Sequence, residues 1–174
     1  MVETKSRAKL KGRFIVECFR KGKLLWEEDV GNIITNEGLD AILDVMLHAA
    51  TQITTWYCTL VETDTAPAAG MTYAVPVYTE STAYDEATRP AYVEAAASSQ
   101  SITNSANKAV FTIDAAKTMY GASLVGGGGA PTTKADAAGG GTLLCYAKFA
   151  ASRAVVDDDV INLTYTLSAA DDGV

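Results

Sequence analysis

The sequence predicts a mainly β chain: an antiparallel β-sandwich, jelly-roll-like, carrying one α-helix at about residues 36–47. Three observations lead there. Val160 to Leu167 alternates strictly, with Ile161, Leu163, Tyr165 and Leu167 on one face and Asn162, Thr164 and Thr166 on the other, the period of a half-buried strand. Several other short apolar runs are separated by turn residues, which favours a sandwich of many short strands. A convincing helical period occurs once, where Leu39, Ile42, Leu43 and Met46 fall at i, i+3, i+4 and i+7.

Taken in order, residues 1–9 read as a flexible basic arm, 10–168 as one β-sandwich domain and 169–174 as a tail. From Leu10 the chain is strand-like, with Gly12, Phe14, Val16 and Cys18 opposed to Lys11, Arg13, Ile15 and Glu17. Arg20 to Lys23 is a turn in which Gly22 can take positive φ, and Leu24 to Asp29 returns as the second arm of a hairpin. Thr35 or Asn36 is placed to cap the helix, and Glu37 and Asp40 suit its positive end. Gly38 costs roughly 1 kcal/mol against Ala there. The helix is expected to pack its Leu39–Ile42–Leu43–Met46 face on the sheet.

Trp56 to Val61 alternates as a strand. Residues 71–97 have no steady period and read as a long excursion, with a short strand near Ala91–Ala95; loops of this length serve function or an interface. Ala109 to Ile113 and Met119 to Val125 read as strands, with Gly121 marking a bulge or a close approach. Two glycine runs, 126–129 and 139–141, make the tip of an exposed hairpin. Thr142 to Phe149 and Val160 to Leu167 are the last strands, around a turn at Asp157–Asp159.

The 174 residues suit one domain with a core of its own. No apolar run is long enough for a membrane span, and the basic start lacks the apolar stretch of a signal peptide. Cys18, Cys58 and Cys145 lie apart inside apolar strands, as buried thiols of a protein folded in a reducing compartment. Charge is split: residues 1–24 hold eight Lys or Arg and two Glu, a balance of +6, so a chain of net −7 carries −13 over the remainder. An acidic body opposes nucleic-acid binding, while the basic segment suits an acidic protein surface.

No residue set points to catalysis. His48, the single histidine, ends the helix, where an imidazole can meet free carbonyls, and no G-x-S-x-G elbow accompanies it. The glycine run before Lys134 lacks the ending of a phosphate loop. Asp157, Asp158 and Asp159 read as a solvated turn, since three adjacent residues cannot all converge on a calcium ion. Glu27, Glu28 and Asp29 read as a surface strand. Glu80, Asp85, Glu86 and Glu94 read as an exposed acidic loop rather than a glycosidase pair. Tyr73, Tyr78, Tyr84 and Tyr92 offer either an interface or loop packing. No cofactor, metal or enzyme activity is expected.

N-I-I-T-N-E-G-L-D-A-I-L-D-V-M-L (32–47) followed by T-T-W-Y-C-T-L-V (54–61) resembles a pattern of small structural proteins of tailed bacteriophages. R-P-A-Y-V-E-A (89–95), A-V-F-T-I-D (109–114), M-Y-G-A-S-L-V (119–125) and D-D-D-V-I-N-L-T-Y-T-L-S (157–168) continue it. The chain is thereby similar to capsid cement, or decoration, proteins. That resemblance implies a sandwich or jelly roll on the outer capsid surface of a virion, made in the host cytoplasm. It implies two partners, the major capsid protein and the chain itself as a homo-dimer or homo-trimer, with neither nucleic acid nor membrane. On that reading Lys5, Arg7, Lys9, Lys11 and Arg13 of the arm, with Tyr73, Tyr78 and Tyr84 of the excursion, are the candidate contacts. A tail or fibre component and a receptor- or glycan-binding module are the alternatives.

Overall fold

A computed structural model describes residues 8–128 and 133–171. Among these, ten strands and one helix follow the order β1 (Ala8–Arg20), β2 (Lys23–Gly31), β3 (Ile33–Ile34), α1 (Asn36–Leu47), β4 (Trp56–Val61), β5 (Ala91–Tyr92), β6 (Ser101–Thr103), β7 (Ala109–Thr112), β8 (Lys117–Gly126), β9 (Thr142–Val155) and β10 (Val160–Asp171). One antiparallel sheet runs β2-β1-β10-β6, with β7 also on β10; the other runs β3-β9-β8-β4-β5. Phe14, Val16, Cys18, Ile161 and Leu163 of the first share a core with Cys58, Leu60, Ala122, Leu124 and Cys145 of the second. The fold is a mainly β sandwich.

The first sheet follows its sequence period. Phe14, Val16 and Cys18 are fully buried, and the residues between them face outward. The β1–β2 turn places both Lys21 (φ 52°) and Gly22 (φ 74°) in the left-handed region, the geometry whose twist matches a two-residue hairpin. The longest ladder joins the chain's two ends, from Ala8↔Asp171 to Phe19↔Val160. The expected arm and tail are corrected where they overlap these strands, and residues 1–7 and 172–174 lie outside the described residues. Ala8 and Lys9 belong to β1, and Ala169 to Asp171 belong to β10.

The second sheet is covered on both faces, so its period fades. Cys58, Thr59, Leu60 and Val61 are all buried. The outer face is sealed by the 71–97 excursion, where Met71, Tyr73 and Tyr78 join Val61, Val125, Leu143 and Tyr146 in a second cluster. Tyr84 packs edge-on against Phe111, centroids 5.1 Å apart, and Tyr92 against Tyr165 at 5.8 Å, both in the main core. The excursion lacks a period because each tyrosine answers to a different neighbour. Gly121 is both a bulge and a close approach, as expected: a side chain there would strike the Ala147 carbonyl.

In each of two acidic runs read as solvated one carboxylate is buried, while Glu27, Asp29, Asp157 and Asp158 are exposed as expected. Glu28 is 3 % exposed and accepts from the Ala150 N–H (3.0 Å) and from Arg153 Nε (2.6 Å), tying β2 to β9 across the corner of the sandwich. Asp159 is fully buried, accepts two bonds from Arg20 at 2.7 Å, and accepts from the Val156 N–H. A buried carboxylate is tolerable only with such partners, and both come from strands distant in sequence.

Candidate functional site

The helix forms where its sequence places it, but it is turned. Thr35 caps it: its hydroxyl accepts from the Gly38 N–H (3.0 Å) and donates to the Leu143 carbonyl, while its own N–H donates to Leu144. The Asn36 N–H donates to the Ala69 carbonyl at 2.8 Å. Glu37 accepts from the N–H groups of Tyr73 (2.8 Å) and Leu143 (2.6 Å). The first turn is thus bolted to β9 and to the excursion.

This anchoring sets which face meets the sheet. Gly38 is the buried residue of the helix, with Ala41, Ile42 and Val45 half-buried. These four keep the i, i+3, i+4, i+7 spacing of the expected face, moved back by one residue, a rotation of about 100°. The reason is the close approach at Gly38, where an added Cβ would lie 2.5 Å from the Leu144 carbonyl oxygen and 2.9 Å from its Cα. The expected packing face is corrected accordingly: Leu39, Leu43 and Met46 stand 39 %, 55 % and 72 % exposed, and Leu47 81 %. Leu39, Leu43 and Leu47 make an exposed ladder at i, i+4 and i+8, and exposed Asp40 and Asp44 run beside it. Beside the stripe, Ile42, Val45 and Met46 face Ile53 and Trp56 across an apolar groove of about 210 Å³.

A second concavity, about 270 Å³, lies between the excursion and the 133–138 loop. Its polar groups satisfy one another. Arg89, 3 % exposed, donates to both oxygens of Glu80, to the Tyr73 hydroxyl (3.1 Å) and to the Asp136 carbonyl (2.9 Å). The Tyr78 hydroxyl is bonded to Ser123 at 2.7 Å. Its volume falls below the roughly 300–1,000 Å³ of small-molecule sites. The network serves as a clasp holding the loop down, helped by Lys134, whose ammonium lies 4.0 Å from the centre of the Tyr84 ring and donates to the Tyr84 carbonyl.

The predicted contact residues separate into three groups. Lys5 and Arg7 lie outside the described residues. Lys9, Lys11 and Arg13 are exposed on the outward side of β1; Arg13 pairs with Asp29 and holds its carboxyl below the usual range, whereas Lys9 and Lys11 have no carboxylate partner among the described residues. Tyr73, Tyr78 and Tyr84 are no more than 9 % exposed, so these side chains build the core instead of meeting a partner; the expectation of a tyrosine interface is corrected. The other acidic candidates disperse: Glu86 accepts from Thr112, and Asp85 and Glu94 are exposed. The helix end is closed by the His48 N–H on the Asp44 carbonyl. Among the described residues no three His, Cys, Asp or Glu stand together as metal ligands, and no helix is long and apolar enough to cross a membrane. Sequence reasoning counted Gly38 only as a cost to the helix and missed its close approach to Leu144, and it missed Leu47; a glycine in the first turn of a helix was the available signal. No protein-family model matches the chain, and no curated protein matches it.

Proposed function

We propose that the chain is a structural protein of a tailed bacteriophage virion, bound to the outside of the capsid as a homo-oligomer and stabilising the shell. One observation carries the binding role: an apolar stripe, Leu39–Leu43–Met46–Leu47, held open to solvent on a rigidly anchored helix. Contiguous exposed apolar surface on a folded domain marks an interaction site. The resemblance to cement proteins, which covers most of residues 10–168, supplies the shell as the place of action. A cement protein works by contact, so it needs a stiff body more than a pocket. The Arg89–Glu80 and Glu28–Arg153 pairs supply that stiffness by clamping loop and sheet corner. The partners on this reading are the major capsid protein and further copies of the chain; it acts by binding, not by catalysis.

The test adds the purified chain to shells lacking it, at low and high salt, and measures the bound fraction and the shell's rupture temperature. The expected result is saturable binding, a higher rupture temperature, and weakening as salt screens exposed charge over about 8 Å. A chain lacking residues 1–7, which leaves β1 whole, is expected to bind more weakly because Lys5 and Arg7 are lost. Binding to tails but not to shells would overturn the cement reading.

A further inference from the structure

A helix advances about 100° per residue, so the order of side chains round α1 follows from the sequence. Starting at the apolar groove, Ile42 and Met46 come first, then exposed Leu39, Leu43 and Leu47, then exposed Asp40 and Asp44. Glu37, Asp40 and Asp44 line a second concavity on the far flank, against residues 69–72. The outward arc of the helix therefore grades from apolar to acidic. Residues 24–88 contain eleven Asp or Glu and no Lys or Arg, so every cation that meets them comes from elsewhere. Asp29, Glu62, Asp64 and Glu80 each hold one; Asp40 and Asp44 pair with none among the described residues. Asp44 also opens the last turn of α1, which has no basic residue, although the negative end of the helix dipole favours a cation there.

We infer that α1 docks a basic amphipathic helix of a different protein. Its apolar face lies on Leu39, Leu43 and Leu47, one of its side chains enters the groove at Ile53 and Trp56, and its lysines or arginines run along Asp40 and Asp44. The inference rests on the stripe being the binding surface, as proposed above, and names the chemistry of what it binds; on the cement reading the shell supplies the helix. Form selects a helix over a strand. A strand is added at a free sheet edge through backbone hydrogen bonds, and a helix has no such edge. A ridge at i, i+4 and i+8 beside a groove is the surface against which a second helix packs. Charge selects a basic partner, because it meets both the unpaired aspartates and the uncompensated end of the dipole. The same charge disfavours two other occupants. Among the described residues α1 is the one helix, so a second copy's helix would set Asp40 and Asp44 against their own counterparts. An anionic lipid surface would be repelled likewise.

The test reads the emission of Trp56, which lines the groove, in a Trp26→Phe background that removes the chain's other tryptophan. The probe is a synthetic peptide of Leu and Lys with leucines at i, i+3, i+4 and i+7. Its controls are the same composition in scrambled order and the same pattern with Glu in place of Lys. Saturable binding of the Leu/Lys peptide, weakening with added salt, is expected, with each control at least tenfold weaker. Leu43→Gln with Leu47→Gln, which leaves the charge unchanged, is expected to weaken binding at least tenfold; far-UV circular dichroism confirms that each variant is folded. Asp40→Lys with Asp44→Lys is expected to exchange the preference, so that the Leu/Glu peptide binds more tightly, a result that loss of fold cannot mimic. No saturable binding, a scrambled peptide that binds equally, an unaffected glutamine variant or an unexchanged preference would overturn the inference. A wild-type dimer that the glutamine pair dissociates, or phosphatidylcholine vesicles bound through the same leucines, would overturn it too, by making a second copy or a bilayer the occupant. Peptide binding by a chain that binds no shell would leave this inference standing and sink the cement reading. Shell binding without peptide binding would do the reverse.

Discussion

Replacing Gly38 by Ala separates the observed setting of the helix from the one its sequence suggests. By propensity alone Ala stabilises a helix interior by about 1 kcal/mol over Gly. The structure opposes this, because the new Cβ would lie 2.5, 2.9 and 3.0 Å from the carbonyl oxygen, Cα and carbonyl carbon of Leu144. All three are backbone atoms of Leu144, which stands at the register shift near the start of β9 with its carbonyl accepting from the Thr35 N–H, so they cannot yield as a side chain tip would. Overpacking of this kind costs about 1–3 kcal/mol. Displacing the first turn also strains the Thr35 cap, worth about 1 kcal/mol. Gly38→Ala is therefore expected to destabilise by about 1–3 kcal/mol after the propensity gain. Leu43→Ala is the companion: a buried leucine costs about 2–5 kcal/mol. Leu43 is 55 % exposed, so at concentrations too low for self-association its loss is expected to cost about 1 kcal/mol or less. Urea unfolding followed by circular dichroism reads both, with equal slopes confirming that the midpoints report stability. A neutral or stabilising Gly38→Ala, or a Leu43→Ala cost above about 2 kcal/mol, would show that the helix packs on its leucine face.

Glu80→Gln leaves the Arg89 guanidinium, 2 % exposed, without its counter-charge, so a loss of about 3–5 kcal/mol is expected in urea unfolding. A loss below about 1 kcal/mol would mean the clasp is open in solution. Asp159 has its pKa lowered by the bonds from Arg20, so the pair contributes stability above the unfolded aspartate pKa, about 3.9, and loses it as pH falls through the lower folded value. Asp159→Asn should flatten the acid limb of the stability–pH curve; an unchanged limb would dismiss the pair. Burial pushes the Cys18 and Cys145 thiols up to about 12, and that of Cys58 higher still. All three should resist thiol reagents at pH 8 until the chain unfolds, and rapid native reaction of any one would contradict its burial.

The sequence by itself determined the class of every long element. Where one face of a strand meets the core and the other meets water, residue type alternates, so β1 and β10 were legible directly. The helix was legible from its own period and from Thr35, whose capping is a local affair of three residues. Periodicity reports an element's amphipathicity and not the identity of its neighbour, and here the readable signal stops. The leucine face of α1 looked like the packing face, yet Gly38 comes closer to Leu144 than any larger residue can, and the whole helix turns to follow it. Only the tertiary structure shows that the second sheet is buried on both sides, which is why Thr59 and Ser123 vanish among apolar residues. Glu28 and Asp159 looked solvated because the partners that make their burial affordable, Arg153 and Arg20, lie 125 and 139 residues away. Tyr73, Tyr78 and Tyr84 looked available for the same reason: their neighbours are assembled by folding, and no local pattern announces them.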